Sequence, residues 1–168
     1  MALRSRSPRL VVGALVLALV ASWTFFGVGG GASAAPAPTT TTAAPTATVS
    51  NVLFINLQSG REDLHRVNMA FQMARNQRKM GRPVTMFFNI NAPELATKNL
   101  PSALQYRANP PVKDQVAELL SMGVTILVCP TCSADQGVTG ADLMRGALIS
   151  NPGRLAEQLK PGTVSMSY

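Results

Sequence analysis

Short apolar runs alternate with segments of helical spacing along the last two thirds of this chain, and this alternation is the strongest constraint on its fold. The apolar runs lie at residues 52–57, 84–90 and 124–128, and each has the continuity of a strand that is buried on both faces. Helical spacing is found at residues 62–80 and 112–122, and a glycine follows each segment. Strands that alternate with helices predict a small three-layer α/β domain with a mostly parallel sheet of about four to five strands.

The other parts of this region are less regular. Residues 91–111 are rich in asparagine and proline and predict a long loop with one helical turn, and a loop of that length in a small domain more often serves a function. Residues 141–150 have the apolar spacing of a helix. After an Asn-Pro-Gly interruption, residues 154–159 predict another turn or two of helix, and residues 163–167 predict a final alternating strand.

The first 34 residues have the order of an export signal. Three arginines within residues 4–9 precede an apolar run at residues 10–28, and Ala-Ser-Ala at residues 32–34 resembles a cleavage site. The apolar run is also close to the roughly 20 residues that span a bilayer. Residues 1–34 therefore predict either a cleaved signal peptide or an N-terminal membrane anchor. Both predict an extracytoplasmic domain, whether periplasmic, cell-surface or secreted, that meets the membrane only through this segment.

Residues 35–50 separate this segment from the α/β region. Residues 36–48 contain only alanine, proline and threonine, a composition that cannot bury a core and that predicts an extended, disordered linker. The folded domain is therefore expected at residues 51–168, which is a normal size for one domain.

The positive charge of the chain does not predict nucleic-acid binding. The net charge is +7, but three of the 15 basic residues lie within residues 4–9, which leaves a net charge of +4 on the remainder. The basic residues of the domain are scattered, apart from a group at residues 75–82, late in a predicted helix, where cations favour the negative end of the helix dipole. Aromatic residues are not interleaved with them. We therefore expect no nucleic-acid partner.

The two cysteines of the chain lie in the sequence Cys129-Pro-Thr-Cys132, directly after the apolar run at residues 124–128. Two thiols this close in sequence form a compact dithiol that can close into a disulfide or pass on a sulfur atom. A helix that starts after Cys129 would favour a thiolate, because its unpaired N–H groups stabilise an anion. A zinc ribbon would need a second cysteine pair, which the sequence lacks, so we expect neither a metal nor a cofactor.

Residues at the ends of the other predicted strands extend this candidate site. In open parallel sheets, ligands collect at the carboxyl ends of the strands. The end of the first strand carries Ser59 and Gly60, and the end of the second carries Asn91. Together with Ser133 and Gln136, which follow the dithiol, these residues are expected to bind substrate.

Three further features have plain explanations. His65 could tune a thiolate, but a lone histidine in the first turn of a helix is more often solvated. Asp135 could accept a proton, although the helix dipole is enough to explain an acid near a helix start. Met69, Met73 and Met80 could form a soft-metal stripe with the thiols, yet methionines at helical spacing more often fill the core.

The segment at residues 127–138, Leu-Val-Cys-Pro-Thr-Cys-Ser-Ala-Asp-Gln-Gly-Val, resembles the cysteine segment of the DsrE/DsrF-like family of sulfur-relay proteins. The order of strands and helices across residues 51–168 agrees with the layout of that family. The resemblance implies a small α/β domain that often assembles into homotrimers or hexamers, with Cys129 in the position of the cysteine that carries a persulfide. Gln136 stands where an arginine is usual, and Cys132 adds a second thiol, as in relatives loosely called peroxiredoxin-like.

The combined expectation is an exported sulfur-transfer or dithiol redox protein, with the activity of a sulfurtransferase or a thiol–disulfide oxidoreductase. Cys129 would attack a sulfane sulfur or a disulfide, which a sulfane-sulfur donor or a thiol partner protein would supply. Cys132 would then resolve the adduct, and an external reductant would restore the dithiol. Two alternatives stay open. One is a non-enzymatic protein that binds copper or zinc through its thiols, and the other is an oligomeric interaction module with inert cysteines.

Overall fold

The computed structural model describes residues 50–168. The predicted signal peptide or anchor at residues 1–34, and all but the last residue of the predicted linker, lie outside the described residues. Within residues 50–168, no helix has both the length and the apolar character needed to cross a membrane.

Five strands form one sheet, and every neighbouring pair in it is parallel. The spatial order is β4-β3-β2-β1-β5, so the three apolar runs recognised in the sequence occupy the centre of the sheet. The small α/β domain with a mostly parallel sheet is thereby confirmed. The strands are β1 Leu53–Leu57, β2 Val84–Phe88, β3 Thr125–Val128, β4 Ala147–Ile149 and β5 Val164–Ser167.

Helices connect these strands, and their bounds are α1 Leu64–Lys79, α2 Val112–Ser121, α3 Pro130–Asp135 and α4 Pro152–Gln158. A 3-10 turn at Arg61–Asp63 leads into α1. Asp63 caps α1 by accepting a hydrogen bond from the backbone N–H of Arg66 (3.0 Å), which satisfies one of the unpaired donors at the helix start. The long loop contains a 3-10 turn at Pro93–Ala96, which confirms its one predicted helical turn.

The main core lies between one face of the sheet and helices α1 and α2. The register pairs Ile55 with Met86 and Met86 with Ile126, so alternate residues of the central strands point to this same face. Each large side chain buried here contributes roughly 1.5–3 kcal/mol of hydrophobic stabilisation. The buried residues that meet in this core include Leu53, Leu57, Val84, Phe88 and Val128 from the strands and Val67, Phe71, Val116 and Leu119 from the helices.

Helix α4 covers part of the opposite face of the sheet. Thr85 points to this face, because its neighbours Val84 and Met86 belong to the core. Its hydroxyl donates a hydrogen bond of 2.6 Å to the Oε1 atom of Gln158, at the end of α4. The sheet therefore has helices on both faces, as predicted. One seven-residue helix covers this face incompletely, and Leu148 on β4 is 46% exposed.

The prediction of a helix at residues 141–150 is wrong. Strand β4 occupies Ala147–Ile149, and turns precede it. The apolar residues with helical spacing serve another purpose, since Leu143 pairs with Thr97 in an isolated antiparallel bridge. Gly146 has a φ of +103°, a conformation that side chains disfavour, and it turns the chain into β4.

Phe88 lies in the middle of the core, fully buried and with its ring centroid 6.2 Å from that of Phe71. Replacing Phe88 by alanine is expected to lower the free energy of unfolding by about 3–5 kcal/mol, because lost contacts and a residual cavity add together. The control Leu148→Ala, on the exposed edge strand, should change it by about 0.5 kcal/mol or less. Urea unfolding followed by circular dichroism measures both values. Equal effects would contradict this description of the core.

Candidate active site

The dithiol lies where β3 ends and α3 begins. The backbone N–H of Cys129 donates to the carbonyl oxygen of Phe88 (2.9 Å), which extends the pairing of β2 and β3 beyond the last strand residue. Pro130 starts α3, a position that suits proline because its fixed φ is already helical and its missing N–H is not needed there. Cys129 caps this helix, and its sulfur accepts a hydrogen bond from the N–H of Cys132 (3.4 Å).

The two sulfur atoms face each other across the first turn of α3. The Cys132 thiol donates to the Cys129 sulfur, with 2.8 Å between the two Sγ atoms. Both thiols are free, and both residues are partly exposed. A disulfide has an S–S distance of about 2.0 Å. Closure of the dithiol therefore requires only a small movement of the two side chains.

The surroundings give the two thiols different properties. Burial raises the pKa of Cys132 above its ordinary value, and the hydrogen bond to Cys129 raises it further, whereas a backbone contact from Ile90 opposes both effects. Cys132 therefore retains its proton, while the Cys129 sulfur accepts hydrogen bonds from the Cys132 thiol and amide. The dithiol is therefore asymmetric, with Cys132 as the donor and Cys129 as the acceptor of the hydrogen bond between the two thiols.

Ser133 is buried and supports the turn that carries Cys129. Its hydroxyl (2.7 Å) and its backbone N–H (2.9 Å) both donate to the carbonyl oxygen of Cys129. The sequence assigned Ser133 to substrate binding, and the structure places its side chain against the backbone of the first cysteine. Its direct effect is to hold the strand-to-helix turn in place.

Gln136 joins α3 to the loop that follows β2. Its amide nitrogen donates to the carbonyl oxygen of Ile90 (2.6 Å), and its amide oxygen accepts from the backbone N–H of Glu94 (3.2 Å). Because Gln136 follows Cys132 by about one helical turn, these two bonds hold the loop beside the dithiol.

Ile90 has an unusual backbone conformation next to the dithiol. Its φ is +51°, and a β-branched residue in this left-handed region is strained by roughly 1–3 kcal/mol. The residue is 52% exposed, so burial of its side chain does not offset this strain. The hydrogen bond from Gln136 to its carbonyl oxygen helps to hold it there. The turn at Ile90 also explains why β2 ends at Phe88, two residues earlier than the sequence predicts.

The end of β1 meets the same loop. Gly60 lies so close to Asn91 that a Cβ atom on Gly60 would overlap the carbonyl oxygen of Asn91. The backbone N–H of Asn91 in turn donates to the carbonyl oxygen of Gln58 (3.0 Å). Ser59, which lies between Gln58 and Gly60 in the chain, is 6% exposed. The structure therefore brings Ser59, Gly60 and Asn91 together at the carboxyl edge of the sheet, as the sequence predicts.

A pocket of about 340 Å³ opens at this edge and is lined by Glu62, Asn91, Glu94 and Gln136. Glu62 accepts hydrogen bonds from the backbone N–H of Gly60 (2.8 Å) and from the side-chain amide of Asn91 (3.0 Å). Burial would raise the pKa of Glu62, but these hydrogen bonds outweigh it and keep the pKa below its ordinary value. Glu62 is therefore a carboxylate at neutral pH.

Sequence reasoning assigned no role in the site to four residues of this pocket and its border. Arg61 and Glu94 form an ion pair of 2.9 Å, and Glu62 and Ile90 have the contacts described above. Glu62 follows a glycine at a strand end by two residues, and this position in the sequence could have indicated that Glu62 belongs to the site. The conformation of Ile90 depends on a partner 46 residues away, and nothing in the local sequence indicates it.

His65 and Asp135 lie in ordinary surroundings. The His65 ring stacks on Tyr106, with centroids 4.9 Å apart, and within residues 50–168 no hydrogen bond joins it to either cysteine. Asp135 is exposed at the end of α3. The surroundings of His65 and Asp135 therefore indicate no role for either residue in the chemistry of the dithiol.

The three methionines do not share one environment. Met73 packs against the core, whereas Met69 and Met80 are exposed. In the part of the chain that the structure describes, there is no group of three or more His, Cys, Asp or Glu side chains that could hold a metal ion.

A parallel five-stranded sheet with a dithiol at the carboxyl end of a central strand defines the class of this protein, a small α/β domain with a strand-end cysteine site. The model of the DsrE/DsrF-like family matches residues 51–164, and the chain belongs to this family. The family that the cysteine segment predicts for this chain is thereby confirmed.

A solved structure agrees with the fold. The crystal structure of the ychN protein from E. coli has a TM-score of 0.56 at 15% identity, and the match covers 71% of this chain and 100% of the other. A protein of unknown function from Methanobacterium thermoautotrophicum, MTH1491, has a TM-score of 0.48 at 18% identity, with 71% and 99% covered. The likeness to the E. coli protein supports the fold and nothing beyond it. No curated protein sequence matches this chain.

Gly60→Ala tests the close approach of the loop to the end of β1. The new methyl group would press on backbone that cannot move freely, so we expect the free energy of unfolding to fall by about 1–3 kcal/mol. The control Gly153→Ala adds a methyl group near the start of α4, where the nearest atom is 3.4 Å away, and should change stability by about 0.5 kcal/mol or less. Urea titrations compare the two. An unchanged stability in Gly60→Ala would contradict the close packing.

Because the pKa of Cys132 is raised, its alkylation is expected to require a higher pH than that of an ordinary cysteine. In the variant Cys129→Ser, the rate of alkylation of Cys132 by iodoacetamide should rise at a higher pH in the folded protein than in urea, because burial, the largest cause of the shift, remains. Linkage gives the matching sign for stability, which should fall as the pH rises through the folded-state pKa. If the midpoint pH of Cys132 alkylation were equal or lower in the folded protein than in urea, this prediction would be contradicted.

Proposed function

We propose that this protein is a sulfur-transfer or dithiol redox protein in which Cys129 is the nucleophile and persulfide carrier and Cys132 is the resolving thiol. The observation that carries the proposal is the 2.8 Å separation of the two sulfur atoms, with Cys132 as the hydrogen-bond donor. Membership of the DsrE/DsrF-like family supports the same chemistry. The activity would be that of a sulfurtransferase or of a thiol–disulfide oxidoreductase.

The chemistry follows from ordinary thiol exchange. Cys129 loses its proton to solvent, and its thiolate attacks the sulfane sulfur of a persulfide donor R–S–SH. The donor S–S bond breaks, R–S⁻ leaves and takes up a proton, and Cys129 carries the persulfide. Cys132 then loses its proton and attacks the Cys129 sulfur, so that hydrosulfide leaves as the internal disulfide forms. The protein has lost two electrons, and an external dithiol reductant returns them.

A disulfide substrate follows the same route. The Cys129 thiolate attacks one sulfur of R–S–S–R′, which releases R′–S⁻ and leaves a mixed disulfide on Cys129. Attack by Cys132 on the Cys129 sulfur releases R–S⁻ and forms the same internal disulfide. The substrate is then fully reduced, and the protein again needs a reductant from outside.

The charges of the neighbouring pocket bear on the choice of donor. Glu62 and Glu94 both line it, and Arg61 neutralises only Glu94. Gln136 adds no charge, although the resemblance places an arginine at this position. A small anionic donor such as thiosulfate would be repelled. We therefore favour a donor without a charged organic group, or a persulfide or disulfide on an exposed cysteine of a thiol partner protein.

The remaining parts of the proposal rest on the sequence and on the family. Export by a cleaved signal or an anchor at residues 1–34 would place the domain outside the cytoplasm, where disulfides persist and a reductant must be supplied. The family resemblance implies a homotrimer or hexamer. We propose no nucleic-acid partner and no contact with the membrane beyond the N-terminal segment.

Mass spectrometry after treatment with 2-hydroxyethyl persulfide, whose organic group is uncharged, tests the assignment of roles. In Cys132→Ser, one additional sulfur atom should accumulate on Cys129, because no thiol is left to resolve it. The native protein should release hydrosulfide and end as the disulfide, and Cys129→Ser should do neither.

The matched control is Thr131→Ala, an exposed position between the two cysteines, which should behave as the native protein. Sulfur that adds to Cys132 in Cys129→Ser as readily as to Cys129 in Cys132→Ser would overturn the assignment of the two roles.

The two alternatives give different results with the same variants. Stoichiometric binding of copper(I) or zinc that is lost in Cys129→Ser would favour a metal carrier. Resistance of both thiols to alkylation in the folded state would favour an interaction module with inert cysteines. The partial exposure of both cysteines favours reactive thiols over inert ones.

A further inference from the structure

A groove of about 630 Å³ lies along helix α2, and it is separate from the pocket beside the dithiol. Its floor is formed by Leu120, Val124 and Met144. Val124 directly precedes β3, whereas Cys129 directly follows it. The floor of the groove and the dithiol therefore lie towards opposite ends of the same strand.

Helix α2 presents two different sides. One side is buried in the core through Val112, Val116 and Leu119. The other side lines the groove, and its residues recur at the intervals of neighbouring helical turns. These residues are Lys113, Ala117, Leu120 and Ser121.

The wall opposite α2 is held in place by backbone hydrogen bonds. Thr97 and Leu143 form an antiparallel bridge, and the N–H of Met144 donates to the carbonyl oxygen of Ala96 (2.8 Å). These contacts fix the segment that carries Met144 and the residues after it. The groove is therefore formed by the fold itself.

The rim of the groove is positively charged. Lys98, Lys113 and Arg145 line it, and no acidic residue does among those that the structure describes. The ammonium group of Lys113 donates to the carbonyl oxygen of Lys98 (2.6 Å), and that of Lys98 donates to the carbonyl oxygen of Ala141 (2.6 Å). Each ammonium group has three donors, so two N–H groups remain on each. Within residues 50–168, the side chain of Arg145 has no hydrogen bond or ion pair.

We propose that this groove binds a small anionic amphiphile, namely a carboxylate with a single alkyl chain. The head group lies at the cationic rim, and the chain lies along the apolar floor. The volume is within the roughly 300–1,000 Å³ that is usual for small-molecule sites, which combine apolar walls with a few polar groups that fix orientation. A short polar anion makes no contact along the apolar floor, and a neutral alcohol brings no negative charge to the cationic rim.

Isothermal titration calorimetry with decanoate, below its micelle concentration, tests the proposal on the purified full chain. Decanoate is expected to bind one to one, at least about tenfold more tightly than decanol or acetate, because each of these lacks one of the two interactions. Binding of decanoate should weaken as salt is added, since the head group pairs with exposed cations. Absence of decanoate binding, or equal binding of decanol or acetate, would overturn the proposal.

Two pairs of variants locate the site. Ala117→Trp fills the groove from the exposed side of α2 and should weaken decanoate binding about tenfold or more, whereas Ala117→Ser should not change it. Arg145→Gln removes a rim cation and should weaken binding about fivefold to tenfold, whereas Lys160→Gln removes an exposed cation outside the groove and should not. The apolar run at residues 10–28 is the same in every variant, so its own binding cancels.

Circular dichroism establishes that each variant is folded. Should Ala117→Trp fail to fold, the pair Arg145→Gln and Lys160→Gln decides the question alone. Unchanged decanoate binding in Arg145→Gln, or an equal loss in Lys160→Gln, places the binding elsewhere and overturns the assignment of the groove.

Discussion

The hydrogen bond from the backbone N–H of Cys129 to the carbonyl oxygen of Phe88 is the contact on which the candidate site depends. It continues the pairing of β2 with β3 past the last residue of β3, so the first cysteine is still held by the sheet. Pro130 then begins α3, and one turn of that short helix returns Cys132 to the Cys129 sulfur. Two thiols in a flexible loop would spend most of their time apart, whereas here a rigid strand end positions one and a helical turn positions the other.

The second constraint is the packing of the loop after β2 between α3 and the end of β1. On one side of this loop, Gln136 forms hydrogen bonds with Ile90 and Glu94. On the other side, the loop packs directly against Gly60, where a side chain would leave no room for it. The positive φ of Ile90 is maintained by this packing, since an isolated isoleucine would avoid that conformation. The same arrangement brings the Glu62 carboxylate to the pocket, so the negative charge of this pocket is a consequence of how three strand ends meet.

Several sequence-based expectations agree with the structure because they depend on local pattern. The apolar runs became the central strands, and the helical face of α1 carries Val67, Phe71 and Ala74 into the core, since burial of that face is the main source of stability. Residues 141–150 were misjudged because the same apolar spacing suits a helix or a turn followed by a short edge strand. The choice between them was made by β3, which offers an unpaired edge to Ala147 and its neighbours.

The amino-acid sequence by itself determined the order of strands and helices apart from β4, the apolar faces of the central strands and of α1, and the placement of a dithiol at a strand end. These properties follow from the spacing of neighbouring residues and from the backbone limits of proline and glycine. Only the tertiary structure decided the strand order β4-β3-β2-β1-β5, the bonds of Gln136 and the cationic groove along α2. Each of these joins residues that lie far apart in the chain, and the free energy that selects such contacts arises only when the elements pack together.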